Sequence, residues 1–121
     1  MKNALSSLAL ILWSIANAQA YVCTGSSTPD GLDKGKKLYT QNCATCHGDH
    51  GDGMGPSGKY MLPKPRSFAK EAFKKGDSVE SIFTTVTQGL DGTAMAGFAT
   101  LPDADRCEMA RYVLTFRPKK K

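Results

Sequence analysis

No stretch of this sequence alternates apolar and polar residues as a half-buried strand would, no segment repeats, and no block is of low complexity. A sheet protein and a solenoid are thereby excluded. Missing too is the run of roughly 20 apolar residues that a membrane-spanning helix needs. The apolar stretch from Leu8 to Ile15 is too short. With Lys2 before it and Ala18-Gln19-Ala20 after it, the N-terminus reads as a secretory signal peptide over residues 1–20, cleaved after Ala20. Cys23 lacks the preceding small residues of a lipoprotein signal. Basic residues interleaved with aromatics are absent, which argues against nucleic acid as a partner. Large apolar side chains are few, with aromatics at 8% of the chain. A domain of this size with so little to bury sits near the lower limit for a core made of protein alone. Something else is expected to fill its middle.

Cleavage leaves residues 21–121, one domain of 101 residues with a formal charge of +4, because Lys2 is the only charge in the leader. Part of that excess lies in the closing Arg117-Pro118-Lys119-Lys120-Lys121. A mild positive balance favours a partner with an acidic docking face, or simply solubility.

Helical spacing organises the rest. Gly35, Leu38, Tyr39 and Asn42 recur at steps of three and four within a helix expected over Asp30 to Cys43. Residues 48–58 hold five glycines and Pro56, and Pro63 and Pro65 follow, so a long wrapping loop is expected there. A short helix is expected over Ser67 to Lys75. A stronger one spans Asp77 to Gln88, with Asp77 as its cap, Glu80 three residues on, an apolar stripe of Val79, Ile82, Phe83 and Val86, and Gly89 as its stop. A second long loop, from Gly89 to Pro102, leads to a last helix over Asp103 to Phe116 with Met109, Tyr112, Val113 and Phe116 on one face. The class is all-α, about four helices with two long loops.

The chemistry concentrates in Asn42-Cys-Ala-Thr-Cys-His-Gly48. Cys43-x-x-Cys46-His47 is the signature of covalent c-type haem attachment. Residues three and four apart on a helical turn share a face, so both thiols can reach along one side of a porphyrin, and His47 then lies beneath the iron as an axial imidazole. Gly48 lets the chain leave the turn close to the ring. Four zinc ligands from Cys43, Cys46, His47 and His50 would have to wrap an ion from a single turn, whereas structural zinc sites pair two separated ligand couples. A thioredoxin-like redox pair wants a strand–helix setting that is absent here. A simple Cys43–Cys46 disulfide leaves the His47-Gly48 continuation without a role.

One axial imidazole leaves the opposite face of the iron open. His50, three residues past His47, is held on the same side, and no other histidine exists. The candidates are the methionines 54, 61, 95 and 109. Met109 lies on an apolar helical stripe and Met54 is too near the attachment turn to circle the ring. Met61 is a second choice. Met95, in a loop about fifty residues from His47, can be carried round the ring edge.

The chain resembles the class I monohaem cytochromes c over nearly all of residues 21–121. The likeness rests on Gly35-x-x-x-Tyr39, Cys43-x-x-Cys46-His47-Gly48, Gly51-Asp52-Gly53-x-Gly55-Pro56, Leu62-x-Lys64-Pro65-x-Ser67-Phe68, Gly92-Thr93-x-Met95-x-x-Phe98, and Asp105-Arg106 ahead of Tyr112-Val113. It implies the cytochrome c fold around one covalently bound haem c, with Met95 as the sixth ligand. It also implies a crossing of the first and last helices near Gly35, with Tyr39 and Tyr112 at the contact. Members often carry proline after the ligand methionine, where this chain has Ala96. A proline carbonyl usually accepts the axial imidazole's other N–H; Pro56, Pro63 and Pro65 compete for that role.

An iron closed on both faces leaves outer-sphere electron transfer as the natural reaction. The expectation is a periplasmic electron carrier that meets redox partner proteins. The alternative is a haem-bearing, electron-accepting subunit of a periplasmic dehydrogenase, or a site with open iron. Cys23 and Cys107 remain. Export and even number suggest a disulfide between them; otherwise Cys107 is a small core residue and Cys23 a free thiol.

Overall fold

A computed structural model of the chain describes residues 22–118. The expected signal peptide and the final three lysines lie outside the described residues. Four helices occur in the order α1 (Pro29–Asn42), α2 (Ala44–His47), α3 (Val79–Gln88) and α4 (Asp103–Leu114), with a 3-10 turn at Gly58–Tyr60 between α2 and α3. No strand forms among the described residues. The all-α expectation holds.

Each boundary has a local cause. Thr28 caps α1 by accepting the Gly31 N–H at 3.1 Å, and Pro29 occupies the first turn, where its missing N–H costs nothing. At α3 the expected cap is displaced by one residue. The Ser78 hydroxyl, not Asp77, accepts the Ser81 N–H at 3.0 Å, while the Asp77 carboxylate lies 3.5 Å from Arg117. Gly89 ends α3 at a φ of 74°, a conformation that costs glycine little.

The expected helix over Ser67 to Lys75 does not form. The segment makes a single turn, with the Glu71 N–H donating to the Ser67 carbonyl at 2.9 Å. The physical reason is a set of competing donors: the Phe68 and Glu71 carbonyls, which a continuing helix would use as acceptors, accept from Arg117 at 3.4 and 3.0 Å, and the Ala72 carbonyl accepts from Arg66. Helical spacing alone could not reveal those side-chain bonds.

The core sits where α1 crosses α4, with α3 packed on the far side of α4. Gly35 permits the crossing. A Cβ at Gly35 would overlap the Glu108 carbonyl oxygen and stand 3.1 Å from the Tyr112 Cβ. Tyr39 and Tyr112 meet there with ring centroids 5.3 Å apart, and Phe116 lies 5.3 Å from Tyr39. Met109 is wholly buried in α4, as its place on the stripe predicts. Buried Arg106 ties α4 to α3 through a 2.6 Å bond to the Thr87 hydroxyl.

The N-terminal segment is held against α4. Arg111 donates to the Thr24 and Gly25 carbonyls at 2.9 and 3.1 Å, and the Ser27 hydroxyl donates to Glu108 at 2.6 Å. Both Cys23 and Cys107 are buried, with Cα atoms 5.6 Å apart. That lies within the roughly 4.4–6.8 Å a disulfide spans.

Candidate cofactor site

A tyrosine on α1 and two glycines on the following loop position the attachment turn. Tyr39, almost fully buried, donates its hydroxyl to the Gly48 carbonyl at 2.6 Å, directly beyond His47. Burial is the largest reason its phenol is held above the usual range, followed by the neighbouring Cys43. The loop then folds back under α2: the Gly53 N–H donates to the His47 carbonyl at 2.8 Å and the Gly55 N–H to the Cys46 carbonyl at 3.2 Å. A Cβ at Gly55 or Gly58 would overlap carbonyl oxygens of α2, so those loop glycines are required by close approach.

Beside this turn opens a cavity of about 410 Å³. Its size falls within the roughly 300–1,000 Å³ of cofactor and ligand pockets. Cys43, Cys46, His47 and Met95, the four residues singled out from the sequence, all line it. So does Met61. Met54 and His50 do not, and Met54 is exposed on the loop. The four candidate methionines are thus reduced to two, Met61 and Met95. Ile82, Val86 and Leu90 from α3 and its C-terminal loop, with Phe68 and Phe98, supply an apolar lining.

Both thiols are unpaired with one another or with a third cysteine. Burial, with a contribution from Cys46, pushes the Cys43 thiol up to about 12 and keeps it protonated. The His47 imidazole is held below its ordinary range, first by burial, with the Arg66 charge acting in the same sense and a backbone contact from Arg66 opposing them. Phe68 stacks on its ring at 4.6 Å. The buried His47 Nδ1 has no hydrogen-bond partner. None of Pro56, Pro63 and Pro65 therefore accepts from it. The Pro65 carbonyl is pressed against Gly53 instead.

Two thiols, an unprotonated imidazole with a buried unpartnered nitrogen, two thioethers and apolar walls make a donor set that fits a flat, largely apolar macrocycle with a borderline-soft metal. The class defined by this fold and site is that of small helical haem proteins. Sequence reasoning missed Tyr39 as a support of the turn and Arg66 as a neighbour of His47. The tyrosine was read only as a helix-crossing residue, and no spacing rule connects Arg66 to a histidine nineteen positions earlier.

The family described as "Cytochrome C oxidase, cbb3-type, subunit III" matches residues 30–113. Cytochrome c6 of Microcystis aeruginosa is 37% identical over 83 residues, covering 66% of this chain and 90% of that protein. Thiosulfate dehydrogenase of Stutzerimonas stutzeri is 32% identical over 82 residues, 68% of this chain and 26% of the relative. Against that dehydrogenase and the cbb3-type oxidase subunits, the chain spans only about a quarter to three tenths of the relative's length. Among solved structures, the reducing HAO-like protein complex of Kuenenia stuttgartiensis superposes with a TM-score of 0.65 at 29% identity, covering 70% of this chain and 42% of that one. Cytochrome c6 of the diatom Phaeodactylum tricornutum gives 0.55 at 26% identity, covering 69% and 91%. The chain belongs to the class I c-type cytochromes. Membership of that family implies haem as the cofactor.

Proposed function

We propose that residues 1–20 direct export, and that residues 21–121 are a periplasmic carrier of single electrons on one haem c. Cys43 and Cys46 attach the haem as thioethers, with His47 and Met95 as axial ligands. The observation that carries this reading is the common cavity, which draws residues from α2 and from the loop near position 95 onto one space. When bound, the haem supplies a one-electron ferric/ferrous couple. The chain's residues do the rest. Cys43 stays a thiol until it is used. His47, disfavoured as an imidazolium, offers a free nitrogen at neutral pH. Ile82, Val86 and Leu90 exclude water, and a thioether ligand together with burial favours the reduced state.

The partner presents carboxylates. Residues 59–75 contain Lys59, Lys64, Arg66, Lys70, Lys74 and Lys75 against the single carboxylate of Glu71, an excess of five that equals the formal charge of the whole chain. This stretch also walls the cavity, so complementary charge brings an electron donor or acceptor to the cofactor side. A Cys23–Cys107 disulfide joins the N-terminal segment to α4.

Three measurements test the reading. The protein matured in a host that attaches haem should show a Soret peak that survives denaturation. In the ferric protein, Met95→Ala should abolish the sulfur-to-iron charge-transfer band while Met61→Ala keeps it. A colourless product, or a band unchanged in Met95→Ala, refutes the site.

A second reading is favoured by the short coverage of the thiosulfate dehydrogenase and of the HAO-like complex. In it the chain is the electron-accepting subunit of an oxidoreductase. Rapid binding of carbon monoxide by the purified chain would indicate open iron, and co-purification with a catalytic subunit would indicate the complex.

A further inference from the structure

Three cations line the cavity: Lys64, Arg66 and Lys74. The two lysines are exposed, and Arg66 alone is half-buried. No carboxylate pairs with Arg66 among the described residues, where the ion pairs engage Lys34, Arg106, Arg111 and Arg117. Its Nη1 donates to the Ala72 carbonyl, which holds the guanidinium without cancelling its charge.

The backbone that carries Arg66 is fixed to the attachment turn. Pro65 packs its carbonyl on Gly53 so closely that a Cβ there would overlap it, and the Gly53 N–H donates to the His47 carbonyl at 2.8 Å. Two residues after Arg66, the Phe68 N–H donates to Gly51 at 2.8 Å, and the Phe68 ring stacks on the His47 imidazole. The backbone of Arg66 is thus fixed beside the imidazole by contacts on both flanks, and the Ala72 carbonyl holds its guanidinium.

We propose that Arg66 is the positioned charge that raises the reduction potential of this cytochrome. The inference rests on the haem reading above. Reduction adds one electron and lowers the charge of the metal centre by one. A nearby fixed cation stabilises the electron-richer state, and does so more strongly where protein replaces water around it. Exposed Lys64 and Lys74 are screened by solvent and ions and contribute less.

The test is a spectroelectrochemical titration of holoprotein carrying Arg66→Gln, Arg66→Met, Arg66→Lys or Lys64→Gln. Both neutral variants at position 66 should titrate at lower potential than wild type, Arg66→Lys should stay near wild type, and Lys64→Gln should shift less than Arg66→Gln. The proposal is overturned if the neutral variants keep the wild-type potential, or if Arg66→Lys falls as far as Arg66→Gln. It is also overturned if neither neutral variant matures while Arg66→Lys does, which would assign the residue to folding. A colourless wild-type product fails the haem reading itself, an outcome separate from all of these.

Discussion

The crossing of α1 and α4 and the opposite, loop-built side of the molecule meet their packing needs in different ways. At the crossing, protein packs on protein: Gly35 admits the Glu108 backbone, and Tyr39, Tyr112 and Phe116 close over it. On the other side, residues from the loops and from α3 face a cavity of about 410 Å³. One half supplies its own core and the other is completed by a cofactor. Stability and spectroscopy should therefore respond to different residues.

The largest effect expected at the crossing comes from Gly35→Val, which places a branched side chain against the Glu108 carbonyl. A loss of about 3 kcal/mol is expected in denaturant unfolding of the holoprotein. A melt unchanged by that substitution would break the comparison outright. Next is reduction of the proposed Cys23–Cys107 bridge. Cys107→Ala combined with Cys23→Ala should cost about 2–4 kcal/mol and leave the Soret peak in place. Two alkylated thiols in the unreduced wild-type protein would remove the bridge from the scheme.

Tyr39 stands on the border between the two halves. Tyr39→Phe leaves the Gly48 carbonyl without its buried donor and should cost about 1–2 kcal/mol. Because Gly48 follows His47, a small shift in the visible spectrum should accompany the loss of stability, and this pairing sharpens the boundary. The smallest effect belongs to Ser78→Ala, which removes the cap of α3 for about 1 kcal/mol with no change in the spectrum.

Much of this division is written locally in the chain. Cys43-x-x-Cys46-His47 is contiguous, and the stripes of α3 and α4 follow from residue spacing. Gly35 and Tyr39 carried their crossing through likeness to a family. What spacing could not carry are contacts between distant segments. The segment from Ser67 stopped at one turn because Arg117 and Arg66 take the carbonyls a longer helix would use, and Ser78 capped α3 where Asp77 was expected because Asp77 faces Arg117. The role of Pro56, Pro63 and Pro65 stayed open for the same reason, since no rule of sequence placed the Pro65 carbonyl on Gly53.

The four cysteines occupy two separate neighbourhoods, and this bears on biogenesis. Thiol–disulfide exchange proceeds through the thiolate. With its thiol pushed up to about 12, Cys43 has almost none at neutral pH, whereas Cys23 of the N-terminal segment already lies apposed to Cys107 on α4. In this arrangement an oxidising milieu can crosslink the terminal pair while the Cys43 sulfur is left for the prosthetic group.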